Sequence, residues 1–328
     1  MLKRIVNEVQ IKFDIKTTGP LLVRSGHTSV KGPDMTPVRT FRNGKPEVYI
    51  PGSSLKGVIR SHAEKIVRTL KPGVACNPFV MLRDRSVKFE DVACGDKFER
   101  REKDLKDSIN SETAYADSCP ICRLFGSLEF IGRVSINDAY LATGQLERTE
   151  LRDGVGIDRL TGGASHQAKF ELEAVSPGTT FKGEALLRNF ECWQLGLLLA
   201  VLLDMEDGMV QVGSGRSRGF GSVTSDIGEM TIHHLVLPAG HAPDEIWGLG
   251  RFLGDKTYRT NTDDALKLAT ALTWDHRGLR HIASIGKDRL PNLRDVAFQE
   301  LAKRIDSWKV PEGMSHGHFE RVLRGGRG

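Results

Sequence analysis

The chain has 328 residues, 39% of them hydrophobic and 27% charged, with a formal net charge of +5. That is the make-up of a globular protein able to bury a sizeable core, and its mild basicity permits a polyanionic partner without proving one. The N-terminal MLKRIVNEVQIKFDI lacks the apolar stretch and cleavage site of a secretory signal, and the most apolar run, Leu195 to Leu203, is too short to span a bilayer, so a cytoplasmic protein is expected.

In chain order, Val9, Ile11, Phe13 and Ile15 alternate with polar residues and predict a first strand. Residues 25–47 carry turn formers and read as a long loop. A helix from about Leu55 to Leu70 follows, with Ser53 or Ser54 as the expected N-cap. Residues 74–127 read as an insertion. A strand is predicted from Phe130 to Tyr140, a polar glycine-rich arm over 145–169, and strands at Phe170–Val175 and Thr180–Leu187. A helix from about Glu191 to Met205 leads into a glycine-rich turn and two short strands ending near Leu237. The order strand, helix, insertion, strand, strand, helix, strand predicts an α+β, ferredoxin-like or RRM-like domain over 1–237. Residues 238–328 read as a helical C-terminal extension, with helices at Asp244–Leu253, Thr262–Leu272 and Leu290–Trp308 and a basic Arg-Gly-Gly-Arg-Gly end.

Four motifs carry possible chemistry. In Ile50-Pro51-Gly52-Ser53-Ser54-Leu55-Lys56-Gly57-Val58-Ile59-Arg60, a Gly-Ser-Ser turn entering a helix offers backbone N–H groups to phosphate, with Lys56 in the first turn and Arg60 one turn on; an ordinary capped helix with solvated cations is the plain alternative. In Gly213-Ser214-Gly215-Arg216-Ser217-Arg218-Gly219-Phe220-Gly221, glycines allow close backbone approach and the arginines pair with phosphate, while Phe220 either stacks on a base or packs inside. This loop is neither a Walker A loop nor a dinucleotide fingerprint. Cys119-Pro120-Ile121-Cys122 is a CxxC knuckle, and Cys76 and Cys94 complete a set of four suited to structural zinc; Cys192 stands apart as a core thiol. Lastly, Asp34 lies in the loop between His27 and Arg39, where an acid beside basic residues can hold Mg²⁺ at a phosphate or serve simply as a turn residue.

The order of these motifs is more specific than any one of them. IPGSSLKG, LFGS after the CxxC, and GSGRSRGFG after the second helix resemble the RAMP superfamily backbone subunits of type III CRISPR–Cas effectors, over roughly residues 8–237. The resemblance implies a modified RRM palm with a thumb-like hairpin, here 145–169, in subunits that stack along a guide RNA and kink the guide–target duplex. It implies that Ser53, Lys56, Arg60, Gly215, Arg216 and Arg218 face guide phosphates, and the RNA-facing set extends to His27, Arg39, Ser54, Gly213 and Arg159. It implies that Asp34 supports Mg²⁺- or Mn²⁺-dependent cleavage of complementary target RNA. The partners it implies are guide RNA, target RNA, further RAMP subunits and the large subunit of the effector. The cysteine-bearing insertion hints at a type III-D or III-E-like relative. Two other readings stand beside the nuclease: a non-catalytic RNA-binding scaffold, and a metal-independent guide-processing endonuclease with His27 as base.

Overall fold

The alternation at Val9, Ile11, Phe13 and Ile15 buries one face of β1 (Asn7–Thr17) and leaves the other in water. The computed structural model describes residues 4–26, 32–42, 44–81, 92–105, 109–254 and 257–308; His27 and the C-terminal Arg-Gly-Gly-Arg-Gly lie outside the described residues. After β1, a hairpin of β2 (Arg39–Arg42) and β3 (Lys45–Ile50) leads into α1 (Gly52–Leu70). The cysteine-bearing stretch contributes α2 (Cys94–Leu105), α3 (Ser111–Ala116) and α4 (Pro120–Phe125). The strand expected at Phe130–Tyr140 is divided into β4 (Val134–Ile136) and β5 (Ala139–Leu141). Next come β6 (Thr149–Ile157) and β7 (Ala164–Val175), then β8 (Thr180–Arg188), α5 (Cys192–Glu206) and one long β9 (Val223–His234) where two short strands were expected.

The main sheet runs β9-β1-β8-β5-β3-β2 with antiparallel neighbours, and β4 also pairs with β8. One face carries α1 and α5. The other carries ion pairs between adjacent strands, such as Lys12–Glu229 and Lys182–Asp14, as befits a solvated face. Strands β6 and β7 form a separate two-stranded hairpin that joins the body through the far end of β7, where Val175 pairs with Leu21.

The C-terminal region departs from the helical extension that the sequence predicts. Within the expected helix at Asp244–Leu253 lie a strand, β10 (Glu245–Trp247), and a five-residue helix, α6 (Leu249–Leu253). Within Thr262–Leu272 lies β11 (Ala265–Lys267), paired with β10 so that Leu266 faces Ile246. Leu266 and Leu268, two residues apart, are both buried, a strand spacing that outweighs the helix preference of the Ala-Leu-Lys run. Asp264 fixes this segment from beside it: its carboxylate accepts from Cys192 N–H at 2.8 Å and from Gly250 N–H at 3.0 Å. Strands β12 (Asp275–Arg277) and β13 (Arg280–Ile285) then extend the main sheet beyond β9.

The last helix, α7 (Leu290–Ile305), does form and packs on α5. Helix α5 is apolar all round and is covered by the sheet, α1 and α7, which is the environment such a helix requires. At Gly196 it meets α7 so closely that a Cβ would sit 2.4 Å from the Ala297 carbonyl oxygen. Among the described residues no helix is long and apolar enough to cross a membrane.

Asp264 makes the fold pH-sensitive. Burial, and then the charge of Glu191, push its carboxyl from 3.8 up to about 7. The folded state therefore holds a proton that the unfolded chain has released, so this group's contribution to stability falls as pH rises from 3.8 to about 7. Thermal unfolding midpoints measured across that window are expected to decline more steeply with pH in the wild type than in Asp264→Asn.

Candidate nucleic-acid interface and metal centre

Helix α1 starts one turn earlier than its serines suggest. The N-cap is Pro51, and neither Ser53 nor Ser54 caps. Instead the carboxylate of Asp138, in the break between β4 and β5, accepts the Gly52 N–H at 2.7 Å. A Cβ on Gly52 would lie 2.2 Å from the Ile136 carbonyl oxygen, so only glycine allows this approach. One N–H expected to meet phosphate is thus already bound, while both serine hydroxyls stay clear of capping. Ser53 is exposed and Ser54 half-buried on the first turn.

Two clefts flank that turn, and Gly57 lines both. The first, about 380 Å³, lies between α1 and the glycine–arginine loop and brings Ser54 and Gly57 together with Arg24, Gly213, Ser214 and Arg216. The second, about 730 Å³, lies between α1 and the cysteine-bearing helices and includes Ser53, Lys56 and Arg60. In the loop, Gly213, Gly215, Gly219 and Gly221 all have φ between 76° and 84°. Gly215 and Gly219 bracket a single 3-10 turn, Arg216–Arg218, that holds both arginines out to solvent. Phe220 is buried against Leu22, Leu172 and Ala174 and so packs inside instead of presenting a ring to a base.

The candidate cations separate by their partners. Lys56, Arg24, Arg216 and Arg218 have no carboxylate partner among the described residues. Arg216 donates to the Gly213 carbonyl at 3.1 Å, and Arg218 lies 5.5 Å from the centre of the Phe170 ring. Burial, together with the charge of Arg60, lowers the Lys56 pKa, so an anion beside it would relieve an unmet charge. Arg39 differs: its guanidinium pairs with Glu173 at 2.6 Å and Glu147 at 3.0 Å, so its charge is met within the protein. Arg60 is likewise engaged, with Glu64 and the cysteine-bearing helices. Arg159 stands exposed at the hairpin tip, where Asp158 accepts the N–H groups of Leu160 and Thr161, each at 2.8 Å.

Asp34 lies at the root of that hairpin. Its Oδ2 accepts the Glu171 N–H at 2.8 Å, and Met35 bridges to Leu172 on β7. The same loop pairs back on the first cleft, Arg24 bridging Pro37. Asp34 is exposed, and its Oδ1 has no partner among the described residues. One free carboxylate oxygen in the open suits an ion such as Mg²⁺, which takes one or two carboxylates and completes its shell with substrate phosphate and water.

The four cysteines come together as the spacing suggests. Cys76, Cys94, Cys119 and Cys122 are buried, with all four sulfurs within 4.8 Å of one another. Cys76 Sγ is 3.6 Å from both Cys122 Sγ and Cys119 Sγ. Zinc–sulfur bonds of about 2.3 Å in a tetrahedron place sulfurs about 3.8 Å apart, so the set fits a structural metal such as zinc. Cys119 also caps α4, accepting the Cys122 N–H at 3.4 Å. Burial acts to raise the Cys119 thiol pKa, but hydrogen bonds from the neighbouring thiols and this N–H outweigh it and hold the value well below the usual range. Cys192 is buried away from the set.

Sequence reasoning missed Arg24 and Asp138. Arg24, next to the turn formers Ser25 and Gly26, was open to notice as a loop cation; the capping role of Asp138 depends on a contact 86 positions away and has no local signature.

The antiparallel sheet backed by helices defines a mixed α/β class of protein, with a glycine loop and open cations at its surface. The RAMP superfamily model matches residues 14–224, most of the chain, and the chain belongs to that superfamily. It is a CRISPR-associated RNA-binding module. Among curated proteins no match was found.

If zinc occupies the cysteine set, the purified chain will carry about one equivalent. Cys119→Ser is expected to lose the metal and to lower the thermal midpoint, and chelation of the wild type is expected to lower it similarly, as read by elemental analysis and thermal unfolding.

Proposed function

We propose that this chain is a guide-RNA-binding backbone subunit of a type III CRISPR effector, and that it cleaves guide-complementary target RNA with a divalent metal. The observation that carries the reading is a set of cations with no acidic partner among the described residues: Arg24 and Arg216 line the groove where α1 meets the glycine loop, Arg218 stands exposed on the same 3-10 turn as Arg216, and Lys56 lines the adjoining cleft on the other side of the first turn of α1. A sugar-phosphate chain laid there meets positive charge and glycine backbone, whereas the charge of Arg39 is met by Glu147 and Glu173.

The palm reading draws support from the path β1, α1, β4/β5, β8, α5, β9, which places the strands in the order β9-β1-β8-β5, all antiparallel, as in a ferredoxin-like sheet. The thumb reading draws support from the β6–β7 hairpin. Leu151, Val155 and Ile157 on alternating positions of β6 are exposed, with the ion-paired Asp153 between the first two, and Leu160 at the tip is 97% exposed. Exposed apolar side chains toward the tip of a hairpin are suited to wedge against unstacked bases.

Asp34 sits at the root of that wedge. In the proposed reaction the 2′-oxygen of the splayed nucleotide attacks the adjacent phosphorus, the bond to the 5′-oxygen breaks, and the products end in a 2′,3′-cyclic phosphate and a 5′-hydroxyl. A bound divalent cation would supply charge neutralisation at the scissile phosphate. Asp34, fixed through Oδ2 by the Glu171 N–H, offers Oδ1 to that cation or to the attacking hydroxyl. A second reading, a scaffold that holds RNA without cutting it, is favoured by the cysteines being, among the described residues, the group of three or more ligands with metal-holding geometry, with Asp34 outside it.

Each of Lys56→Ala, Arg216→Ala and Arg218→Ala is expected to weaken RNA binding uniformly across sequences and to lower the slope of log affinity against log salt by about 1, with Arg39→Ala leaving that slope unchanged. In the reconstituted complex, Asp34→Ala is expected to abolish the Mg²⁺-dependent cuts assigned to this subunit without loss of RNA binding. Equal cutting by both proteins would make this chain the scaffold.

A further inference from the structure

Spacing on α1 puts Arg60 one turn beyond Lys56 and suggests a second phosphate ligand, yet its guanidinium is already engaged at the cysteine set. Its Nη2 lies 3.7 Å from Cys122 Sγ, its Nη1 donates to the Gly126 carbonyl at 3.3 Å, and its Nε donates to Glu64 at 3.1 Å. Glu64 also pairs with Arg68, whose Nη2 donates to the Cys76 carbonyl at 2.8 Å. One face of α1 therefore grips the cysteine set at two of its members.

Four thiolates around a divalent cation leave a net charge of about −2 in a buried setting, which is costly without compensation. Backbone N–H groups supply part of it: Cys119 N–H to Cys94 Sγ and Cys122 N–H to Cys119 Sγ, both at 3.4 Å. Arg60 adds a full positive charge at Cys122, which with Cys76 and Cys94 lines the second cleft. We infer that Arg60 is the counter-charge of the metal centre, a positioning residue for Cys122, and not a phosphate ligand. This rests on the reading of the cysteines as a metal site. It also gives that site a direct link to α1: the helix that offers Ser53 and Lys56 to the cleft at its start is held to the centre one turn later.

The test compares full-length wild type, Arg60→Gln and Arg60→Lys. Zinc affinity is read by competition with a chromophoric chelator, the thiolate-to-metal absorption of the cobalt(II) form reports the ligand set, and RNA affinity is measured at saturating zinc across a salt series with a single-stranded oligonucleotide. Arg60→Gln is expected to lose about tenfold or more in zinc affinity and to shift the cobalt band, the range typical for groups that hold metal ligands in place. Its RNA affinity and salt slope are expected to stay within twofold of wild type. Arg60→Lys, which keeps the charge but not the fork, is expected to fall between the two in zinc affinity, and it carries the test if Arg60→Gln does not fold. Wild-type zinc affinity with weakened RNA binding and a reduced salt slope would overturn the inference and return Arg60 to the phosphate contacts. A wild type that binds neither zinc nor cobalt would overturn the metal reading and the inference with it, whereas a variant effect on RNA alone would overturn only the inference.

Discussion

The Gly52 N–H donates to Asp138 at 2.7 Å, and the position of that bond determines what the groove presents. A carboxylate from the sheet takes the place of a side-chain cap, so α1 is anchored to the β4–β5 break rather than closed on itself. With the anchor supplied from outside, both serines of the first turn are left to the surface, Gly57 lies open between the two clefts, and Lys56 stands at the rim of the second. A helix capped by its own serine would begin later and present a different turn to the glycine loop.

From that anchor the charges around α1 sort themselves by what faces them. Arg39 and Arg60 look like surface cations in the sequence, but carboxylates on β7 and just before β6, or a sulfur of the cysteine set, meet them. Arg24, Lys56, Arg216 and Arg218 meet none among the described residues. A polyanion is recognised by charge that the protein has not already neutralised, so this division says more about RNA than the net charge of +5 does.

Local patterns were the readable part. The two-residue alternation of β1, the apolar run that became α5 and the CxxC knuckle appeared where the sequence placed them, because each is set by neighbours within a few residues. What escaped depends on distant partners. Arg39 meets an acid 134 positions away. Thr262–Leu272 reads as a helix because its residues favour one, whereas the Asp264 carboxylate and the pairing with β10 decide otherwise. Phe220, legible equally as a stacking ring or a core residue, was settled only by the small cluster it joins under the hairpin root.

The packing of α5 bears on how far the family resemblance reaches as a physical object. The superfamily match ends at residue 224, but the wall that keeps α5 dry continues to Trp308, whose ring lies 5.2 Å from that of Trp193. Lys71, at the end of α1, donates to the carbonyls of Ile305 and Asp306 and so ties off the last turn of α7. The stretch that inheritance recognises is thus shorter than the stretch that folds: cut free at 224, it would turn the leucines of α5 toward water, and the shared ancestry would survive in a polypeptide unable to keep its shape.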